Sequence, residues 1–337
     1  MQQPTIFLSG TNNLTLEQLM ELLSQNYDKE TVTEQMRKYC MQSSSSDIQK
    51  KGMEFLYMHG FYDDLEQLIQ KNNESAYPSN KKWATVYQAI IDRRLHRVKP
   101  IQLIQNLNGI QPEEPELKCL IEFVKATAYY DLKQYSKIGN FLETQQKLFK
   151  LIGDNLLKFY FTIRLNQILM SYHMSRNELI IARKYGYRVL NQTSNIRTKI
   201  STHIILGLSY TFDTFSQGIY HLNKALQLAK SHDLKNIVHA IEQHNIPFLA
   251  AHFNQADTIT STDISEQAHI EISKGNNLKA IEILEGIKLT TPFKLYYMGK
   301  AKQDKYLLLK SYNEFIEKRS DYFFGRLPLS ELQKMSP

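Results

Sequence analysis

Charged residues on otherwise apolar helical segments carry the clearest chemical signal in this sequence. Arg197, Ser201, Ile204 and Leu208 are spaced so that a helix places all four on one face. An Arg near the start of a helix opposes the helix dipole, so it needs a compensating interaction. Either its stem covers neighbouring apolar groups, or its guanidinium pairs with a carboxylate, such as a peptide C-terminus or an internal acid.

Asp321 is a second residue of this kind, because it stands near the end of a helical segment, in KRSDYFF over residues 318–324. A carboxylate is unfavourable at a helix C-terminus. It acts either as a turn residue that accepts a backbone N–H or as an acceptor for a basic side chain of a ligand. Trp83 and the pair Tyr296-Tyr297 are more typical of core aromatics than of ligand platforms.

Sequence patterns for catalysis are missing. There is no glycine-rich phosphate loop and no Ser or Cys nucleophile motif, and His239 and His244 are five residues apart, which does not match a zinc-binding HExxH helix. The two cysteines, Cys40 and Cys119, stand alone. We therefore expect a protein that is not an enzyme and that needs no cofactor and no metal ion.

The elements that carry these residues are predicted to be helices. Only 9 Pro and 13 Gly occur in 337 residues, and apolar residues recur at helical spacing almost throughout. No segment has the length and apolarity of a membrane span or the pattern of a signal peptide, so we expect a cytoplasmic protein. The net charge of +7 suits a nucleic-acid partner only if it is clustered.

From about residue 116 the pattern repeats as a long apolar helix, a short turn and a second helix built around a small residue. These small residues are Gly139, Ala182, Gly218 and Ala280, about 36 to 62 positions apart. A small residue allows two antiparallel helices to approach closely, as in tetratricopeptide (TPR) repeats of about 34 residues. Stacked hairpins of this type form a superhelix whose concave face holds a peptide or a partner helix.

The first residues resemble the second half of a helix-turn-helix. Gln3, Pro4 and Thr5 would begin a recognition helix that ends at Gly10, and the next helix would begin with Thr15 as N-cap in a capping box. We expect DNA contacts at Gln3 and Thr5. The dense basic run that contains Arg93 and Arg94 is either a phosphate contact or a solvated helix end.

Six segments together resemble the arbitrium peptide receptors (AimR) of SPβ-type Bacillus phages, a family within the TPR peptide-pheromone receptors that also include Rap, PlcR and NprR proteins. These segments are residues 168–171, 194–197, 266–269, 296–299, 320–323 and, most specifically, RLPLSELQKM at 326–335. The resemblance extends over essentially the whole chain. It implies an all-α fold, in which a TPR-like helical-hairpin superhelix follows a partial helix-turn-helix.

The resemblance implies a dimeric transcription regulator that senses a short communication peptide and controls the choice between lysis and lysogeny, with peptide binding blocking its activity on DNA. The expected ligand has about six residues, one of them basic. By position, the expected peptide-binding residues are Arg197, Asp321, Tyr172, Ser201, Leu208, Ser265 and Tyr296. Relatives carry Asn, Gln and Asn where this chain has Tyr172, Ser265 and Leu208, which favours a different peptide.

The expected organisation has three parts: residues 1–25 as the remnant of the DNA-binding domain, 26–115 as a helical linker with degenerate hairpins, and 116–337 as the peptide-binding superhelix. Relatives run on into a Leu-rich terminal helix that helps dimerisation, whereas this sequence stops at Pro337. An alternative is a Rap-like protein, gated by a peptide, that acts on another protein without binding DNA. A third possibility is a helical-repeat scaffold without a small ligand.

Overall fold

The computed structural model describes residues 14–95 and 97–335, and those residues form α-helices and connecting turns without a β-strand. They divide into two compact units. Unit 1 contains residues 14–132 and 140–165, and unit 2 contains residues 133–139 and 166–335. The N-terminal half-motif up to residue 13, including Gln3 and Thr5, lies outside the described residues.

Unit 1 is built from consecutive helices joined by short turns. They are α1 (Leu16–Ser24), α2 (Lys29–Gln42), α3 (Ser46–His59), α4 (Tyr62–Asn73), α5 (Pro78–Arg94), α6 (Pro100–Asn108), α7 (Pro115–Asp131), most of α8 (Ser136–Phe149) and the first half of α9 (Asn155–Ser175).

Unit 2 begins with the first turn of α8 and the second half of α9. It continues with α10 (Leu179–Gln192), α11 (Ile196–Ser209), α12 (Phe215–Ser231), α13 (Lys235–Ala240), α14 (Ile246–His252), α15 (Ile264–Ser273), α16 (Asn277–Glu285), α17 (Pro292–Lys302), α18 (Lys305–Asn313) and α19 (Arg326–Lys334). Two π-helical turns, Ile241–Asn245 and Glu314–Lys318, follow α13 and α18.

Local sequence signals set several helix ends. Thr15 caps α1: its hydroxyl accepts the Gln18 N–H at 3.2 Å, and the Gln18 side chain accepts the Thr15 N–H at 3.0 Å, so the predicted capping box is confirmed. Gly60 ends α3 with φ of 84°, a left-handed conformation that favours glycine. Pro100 and Pro115 each begin a helix, where their missing N–H costs nothing.

A buried ion pair joins three helices of unit 1. The guanidinium of Arg164 on α9 donates two hydrogen bonds, of 2.7 and 2.8 Å, to the carboxylate of Glu54 on α3. The hydroxyl of Tyr87 on α5 donates to the same carboxylate. Glu54 is fully buried, so this charge is stabilised by its partners and not by water.

Three of the four small residues predicted for the second helices of the hairpins lie at close helix–helix contacts in unit 2, whereas a Cβ on Gly139 would have ordinary contacts, the nearest with the Tyr172 hydroxyl at 3.6 Å. Ala182 and Ala280 are buried. A Cβ on Gly218 would lie 2.8 Å from Leu249 and 3.1 Å from the Gly207 carbonyl oxygen, which leaves no room for a side chain. The predicted all-α architecture of TPR-like helical hairpins is confirmed.

Candidate ligand-binding site

Asp321 begins a tight turn, residues 322–325, that connects the π-helical turn Glu314–Lys318 to α19. Its Oδ1 accepts the backbone N–H of Phe324 at 3.0 Å. This is the Asx-type bond that the turn interpretation of the sequence predicted. The residue is only 4% exposed, so this turn holds a carboxylate inside the protein.

The electrostatic surroundings of Asp321 leave its charge only partly stabilised. Burial raises the pKa of the carboxyl to about 6, against the opposing effects of the Phe324 N–H and of the charges on Arg319 and Lys133. Among the described residues, no Lys, Arg or His nitrogen forms an ion pair with it. The carboxylate therefore relies on backbone N–H groups where a cation would stabilise it further.

The Asp321 turn is attached to the end of α9. The backbone carbonyl of Ser175 accepts the N–H groups of Tyr322 at 2.7 Å and Phe323 at 3.2 Å. The Ser175 hydroxyl in turn donates to the carbonyl of Tyr172, at 2.8 Å. Of the predicted peptide-binding residues, Tyr172 thus lies about one helical turn before Ser175, the residue of α9 that holds the Asp321 turn.

Leu208 on α11 connects this turn to the next part of the site. It packs against the cluster that contains buried Phe323, and also against the larger apolar cluster that contains Tyr296. Phe212 packs against the same two clusters as Leu208. The guanidinium of Arg326, the first residue of α19, lies 4.1 Å from the centre of the Phe212 ring. Leu208 and Tyr296 therefore belong to the same packed region as the Asp321 turn.

Arg197 and Ser201 lie in the first two turns of α11, and Leu208 lies near the other end of the same helix. Arg197 is exposed, and its side chain forms no ion pair within the described ranges. Eleven residues of helix separate it from Leu208, which is about 16 Å along the axis. Ser201 is exposed as well, and its hydroxyl donates to the Thr198 carbonyl at 3.0 Å.

Ser265 and Tyr296 have local partners. The Ser265 hydroxyl donates to Asp263, the N-cap residue of α15. Tyr296 is 1% exposed, its hydroxyl accepts a hydrogen bond from Lys300 at 3.4 Å, and burial raises its pKa. Tyr296 thus has the core position that its residue type suggested.

A buried polar cluster next to Tyr296 was not among the predicted site residues. Glu266 and His269 lie on α15, and the Tyr297 hydroxyl donates to Glu266 Oε1 at 3.1 Å. In the described part of the chain, the second oxygen of Glu266 and both ring nitrogens of His269 lack hydrogen-bond partners. The sequence held two signals for this cluster: Glu266 and His269 are three residues apart in an apolar segment, and they bound the segment 266–269 that resembles the arbitrium receptors.

The two predicted DNA-binding arginines inside the described ranges have partners within unit 1. Arg93 donates two hydrogen bonds, of 2.7 and 3.0 Å, to Asp131. The Arg94 guanidinium lies 3.1 Å from the centre of the Tyr62 ring. Their contact with phosphate stays a prediction, as do the contacts of Gln3 and Thr5.

No cluster of three or more metal-ligating side chains occurs in residues 14–95 and 97–335. No helix in that part of the chain is both long enough and apolar enough to span a bilayer.

Comparison with solved structures gives the same fold. A structure of phAimR with ligand matches with a TM-score of 0.77 at 18% identity, over 96% of this chain and 98% of that chain. In sequence, the AimR transcriptional regulator of Bacillus phage SPbeta is 22% identical over 319 residues, 90% of this chain and 80% of the relative. The SPbeta prophage-derived protein YopK of Bacillus subtilis strain 168 matches with the same identity and coverage.

The family assignment rests on most of the chain. A sequence model described as AimR transcriptional regulator-like matches residues 32–334. That family consists of transcription regulators and not of enzymes. The protein therefore belongs to the AimR transcriptional regulator-like family.

Proposed function

We propose that this transcription regulator senses a short peptide in unit 2 and that peptide binding blocks its activity on DNA. The ligand has about six residues and carries one basic side chain. The regulator acts in the cytoplasm of a bacterial host, as a homodimer, and controls the choice between lysis and lysogeny of a phage or prophage. Support comes from the geometry around Asp321 and from the ligand-bound relative of the same fold.

The observation that carries the proposal is the buried Asp321 carboxylate without an ion-pair partner. A charge taken out of water costs several kcal/mol unless it is paired. Backbone N–H groups supply part of that stabilisation here, and the pKa of about 6 indicates that the rest is lacking. A guanidinium or ammonium group from a peptide would supply the missing stabilisation of this carboxylate. We therefore assign the basic side chain of the ligand to Asp321.

Arg197 supplies the opposite charge at the other end of the proposed site. Its exposed guanidinium can pair with a carboxylate in a bidentate geometry. It lies about 16 Å along α11 from Leu208, which packs beside the Asp321 turn. An extended chain of six residues spans about 20 Å. A hexapeptide could therefore bridge the two charges with its basic side chain at one end and its C-terminus at the other.

Isothermal titration calorimetry tests the site. The probes are synthetic hexapeptides taken from the C-terminus of the small reading frame next to the gene. Asp321→Asn keeps the acceptor for the Phe324 N–H but removes the charge, and we expect it to weaken binding by at least about tenfold. Arg197→Ala should weaken binding to a similar extent. Exposed Asp257→Asn and Lys288→Ala are the matched controls. Unchanged affinity in both site variants would overturn the site.

A mobility-shift assay with DNA from the flanks of the gene tests the response. The full chain should retard this DNA, and saturating peptide should release it. Peptide binding without any effect on DNA would instead support the alternative in which the receptor acts on another protein.

A further inference from the structure

The positive charge of this protein is concentrated on three consecutive helices of unit 2. From the start of α10 to the end of α12, residues 179–231, the sequence has seven Lys or Arg side chains and a single acid, Asp213. The surplus over this segment is six, against a net charge of +7 for the whole chain. Helices α10 to α12 therefore account for nearly all of the excess charge.

Only two of those seven cations are paired with an acid. Arg183 pairs with Asp213, and Lys230 pairs with Glu242 at 2.7 Å. Four others on these helices, in addition to Arg197, form no ion pair in the described part of the chain. They are Lys184 and Arg188 on α10, Lys199 on α11 and Lys224 on α12; Lys199 is half-buried and the other three are exposed.

Contacts among aromatic residues and histidines link the three helices that carry these cations, and Lys184 and Arg188, four residues apart, share one side of α10. The hydroxyl of Tyr187 lies 3.1 Å from His221 Nε2, and His221 Nδ1 lies 2.9 Å from His203 Nδ1, so α10, α11 and α12 are linked side by side. Lys199 precedes His203 by one turn of α11, and Nζ of Lys224 lies 6.0 Å from the centre of the Tyr220 ring. Burial lowers the pKa of His203, and the charges of Lys224 and Lys199 lower it further.

Two tyrosines lie between the cations. Tyr187 is 41% exposed and stands one residue before Arg188 on α10, while Tyr220 is 53% exposed and stands one helical turn before Lys224 on α12. Both rings contact His221, at 5.8 and 5.2 Å between centroids. We call the set Lys184, Tyr187, Arg188, Lys199, Tyr220 and Lys224 the basic surface.

We propose that the basic surface binds the phosphate backbone of duplex DNA, as a second contact independent of the N-terminal half-motif. Unpaired Lys and Arg on one face are the pattern that binds polyphosphate, because each contact releases a condensed counterion. The hydroxyl of exposed Tyr220 is a suitable additional donor to phosphate oxygens, whereas the Tyr187 hydroxyl already contacts His221. Contacts of this kind orient a protein on DNA without selecting a sequence.

Duplex DNA fits better than an acidic protein for two reasons. A transcription regulator meets DNA as its obligatory polyanion, so a basic face that binds the duplex backbone adds affinity where the protein already acts. The cations are also spread over three helices, as suits a long duplex backbone, whereas the affinity of a protein interface is concentrated in a few central anchor residues.

Fluorescence anisotropy with a labelled 24-base-pair duplex of arbitrary sequence tests the proposal at salt concentrations from 50 to 200 mM. The full chain is compared with the quadruple variant Lys184→Gln, Arg188→Gln, Lys199→Gln, Lys224→Gln. The matched control removes the same charge elsewhere on unit 2, through Lys274→Gln, Lys288→Gln, Lys305→Gln and Lys310→Gln, all of them exposed positions.

We expect the quadruple variant to bind at least about tenfold more weakly at 100 mM salt, and the slope of log K against log salt to become shallower by about 3.6, which is about 0.9 for each of the four lost contacts. The control should keep the affinity and slope of the unsubstituted chain. If the quadruple variant folds poorly, the two double variants, Lys184→Gln/Arg188→Gln and Lys199→Gln/Lys224→Gln, should each give about half of the change in slope.

Three results would overturn the proposal. An unsubstituted chain that does not bind the duplex excludes it, and an equal loss in the control shows that only net charge matters. If polyglutamate binds through these four residues while the duplex does not, the surface accepts an acidic protein instead. The substitutions leave Arg197 and Asp321 in place, so we expect the peptide titration to stay unchanged, which distinguishes failure here from failure of the peptide site.

Discussion

Glu266 and His269 face each other across one turn of α15, with Oε2 and Nδ1 3.6 Å apart, and neither group is charged at neutral pH. Burial raises the pKa of Glu266 to about 8 and lowers the pKa of His269 to about 3. Tyr297 ties the pair to α17, since its hydroxyl donates to Glu266 and its ring stacks on His269 at 4.3 Å. The two groups thus form an uncharged polar pair inside an apolar cluster.

Through Glu266, this pair predicts that the free energy of unfolding falls as pH rises from about 4.5 towards 8. Between pH 6.5 and 8 the unfolded chain has lost the Glu266 proton while the folded chain retains it, so ionisation favours unfolding. The slope is at most about 1.4 kcal/mol per pH unit. Glu266→Gln should remove most of this slope in denaturant titrations at pH 6.5, 7.2 and 8. Exposed Glu282→Gln is the control, and a variant slope equal to that of the unsubstituted chain would contradict the assignment.

Signals contained in a few adjacent residues were predictable from the sequence. The capping box at Thr15, the turn at Gly60 and the small residue Gly218 at a helix contact each depend on local geometry or on one steric requirement. The Asx role of Asp321 was also one of two interpretations of its position, and the structure has that bond.

Features that depend on tertiary contacts were not predictable. A Glu and a His three residues apart look the same on a solvated helix as in a core, so the buried pair in α15 left no distinct pattern. The charge distribution was similarly hidden. The highest local density of basic residues is in the run that begins at Arg93. In the structure, however, Arg93 pairs with Asp131 and Arg97 pairs with Asp92. The larger surplus is diluted over the 53 residues of α10 to α12.

The histidine pair between α11 and α12 predicts a loss of stability in acid. The two Nδ1 atoms of His203 and His221, 2.9 Å apart, can share one hydrogen but not two. Burial, His203 and Arg183 lower the pKa of His221 to about 4, whereas the unfolded chain takes up this proton near pH 6.5. Stability conferred by the neutral ring is therefore lost as pH falls from about 6.5 towards 4.

Lowering the pH from 7 to 5 should reduce the free energy of unfolding of the unsubstituted chain. In the double variant His203→Gln/His221→Gln this reduction should be smaller by about 1–2 kcal/mol. Differences between the two pH values are compared, because the substitutions also change packing. His232→Gln, at an exposed position, should follow the unsubstituted chain. A double variant that loses as much as that control would refute a role for the pair.

The ion pair between Glu54 and Arg164 predicts a strong asymmetry between single and double substitution. Glu54→Leu leaves a buried guanidinium without its carboxylate and should cost about 3–5 kcal/mol of unfolding free energy. Arg164→Met should cost a similar amount. The double variant should recover most of this loss, because both charges are then gone from the interior. Urea denaturation measures all three, and additive losses in the double variant would contradict the prediction.

A matched comparison comes from the exposed pair Lys147 and Glu143, 3.3 Å apart on one helix. Exposed pairs of this type contribute little, so Lys147→Ala should change stability by less than about 0.5 kcal/mol.

Gly207 and Gly218 predict a steric limit at the α11–α12 contact. A Cβ on Gly207 would lie 2.8 Å from Leu222 Cγ and 3.0 Å from the Gly218 carbonyl oxygen, so the helices must separate to admit it. Although alanine favours helix by about 1 kcal/mol over glycine, we expect Gly207→Ala to destabilise unit 2 by about 1–3 kcal/mol. Gly286→Ala is the control, because a Cβ there would lie 3.4 Å from its nearest neighbour, the Ile283 carbonyl oxygen. We expect this substitution to change stability very little. Thermal unfolding followed by circular dichroism compares the two, and a Gly207→Ala variant as stable as Gly286→Ala would mean that α11 and α12 are not this close in solution.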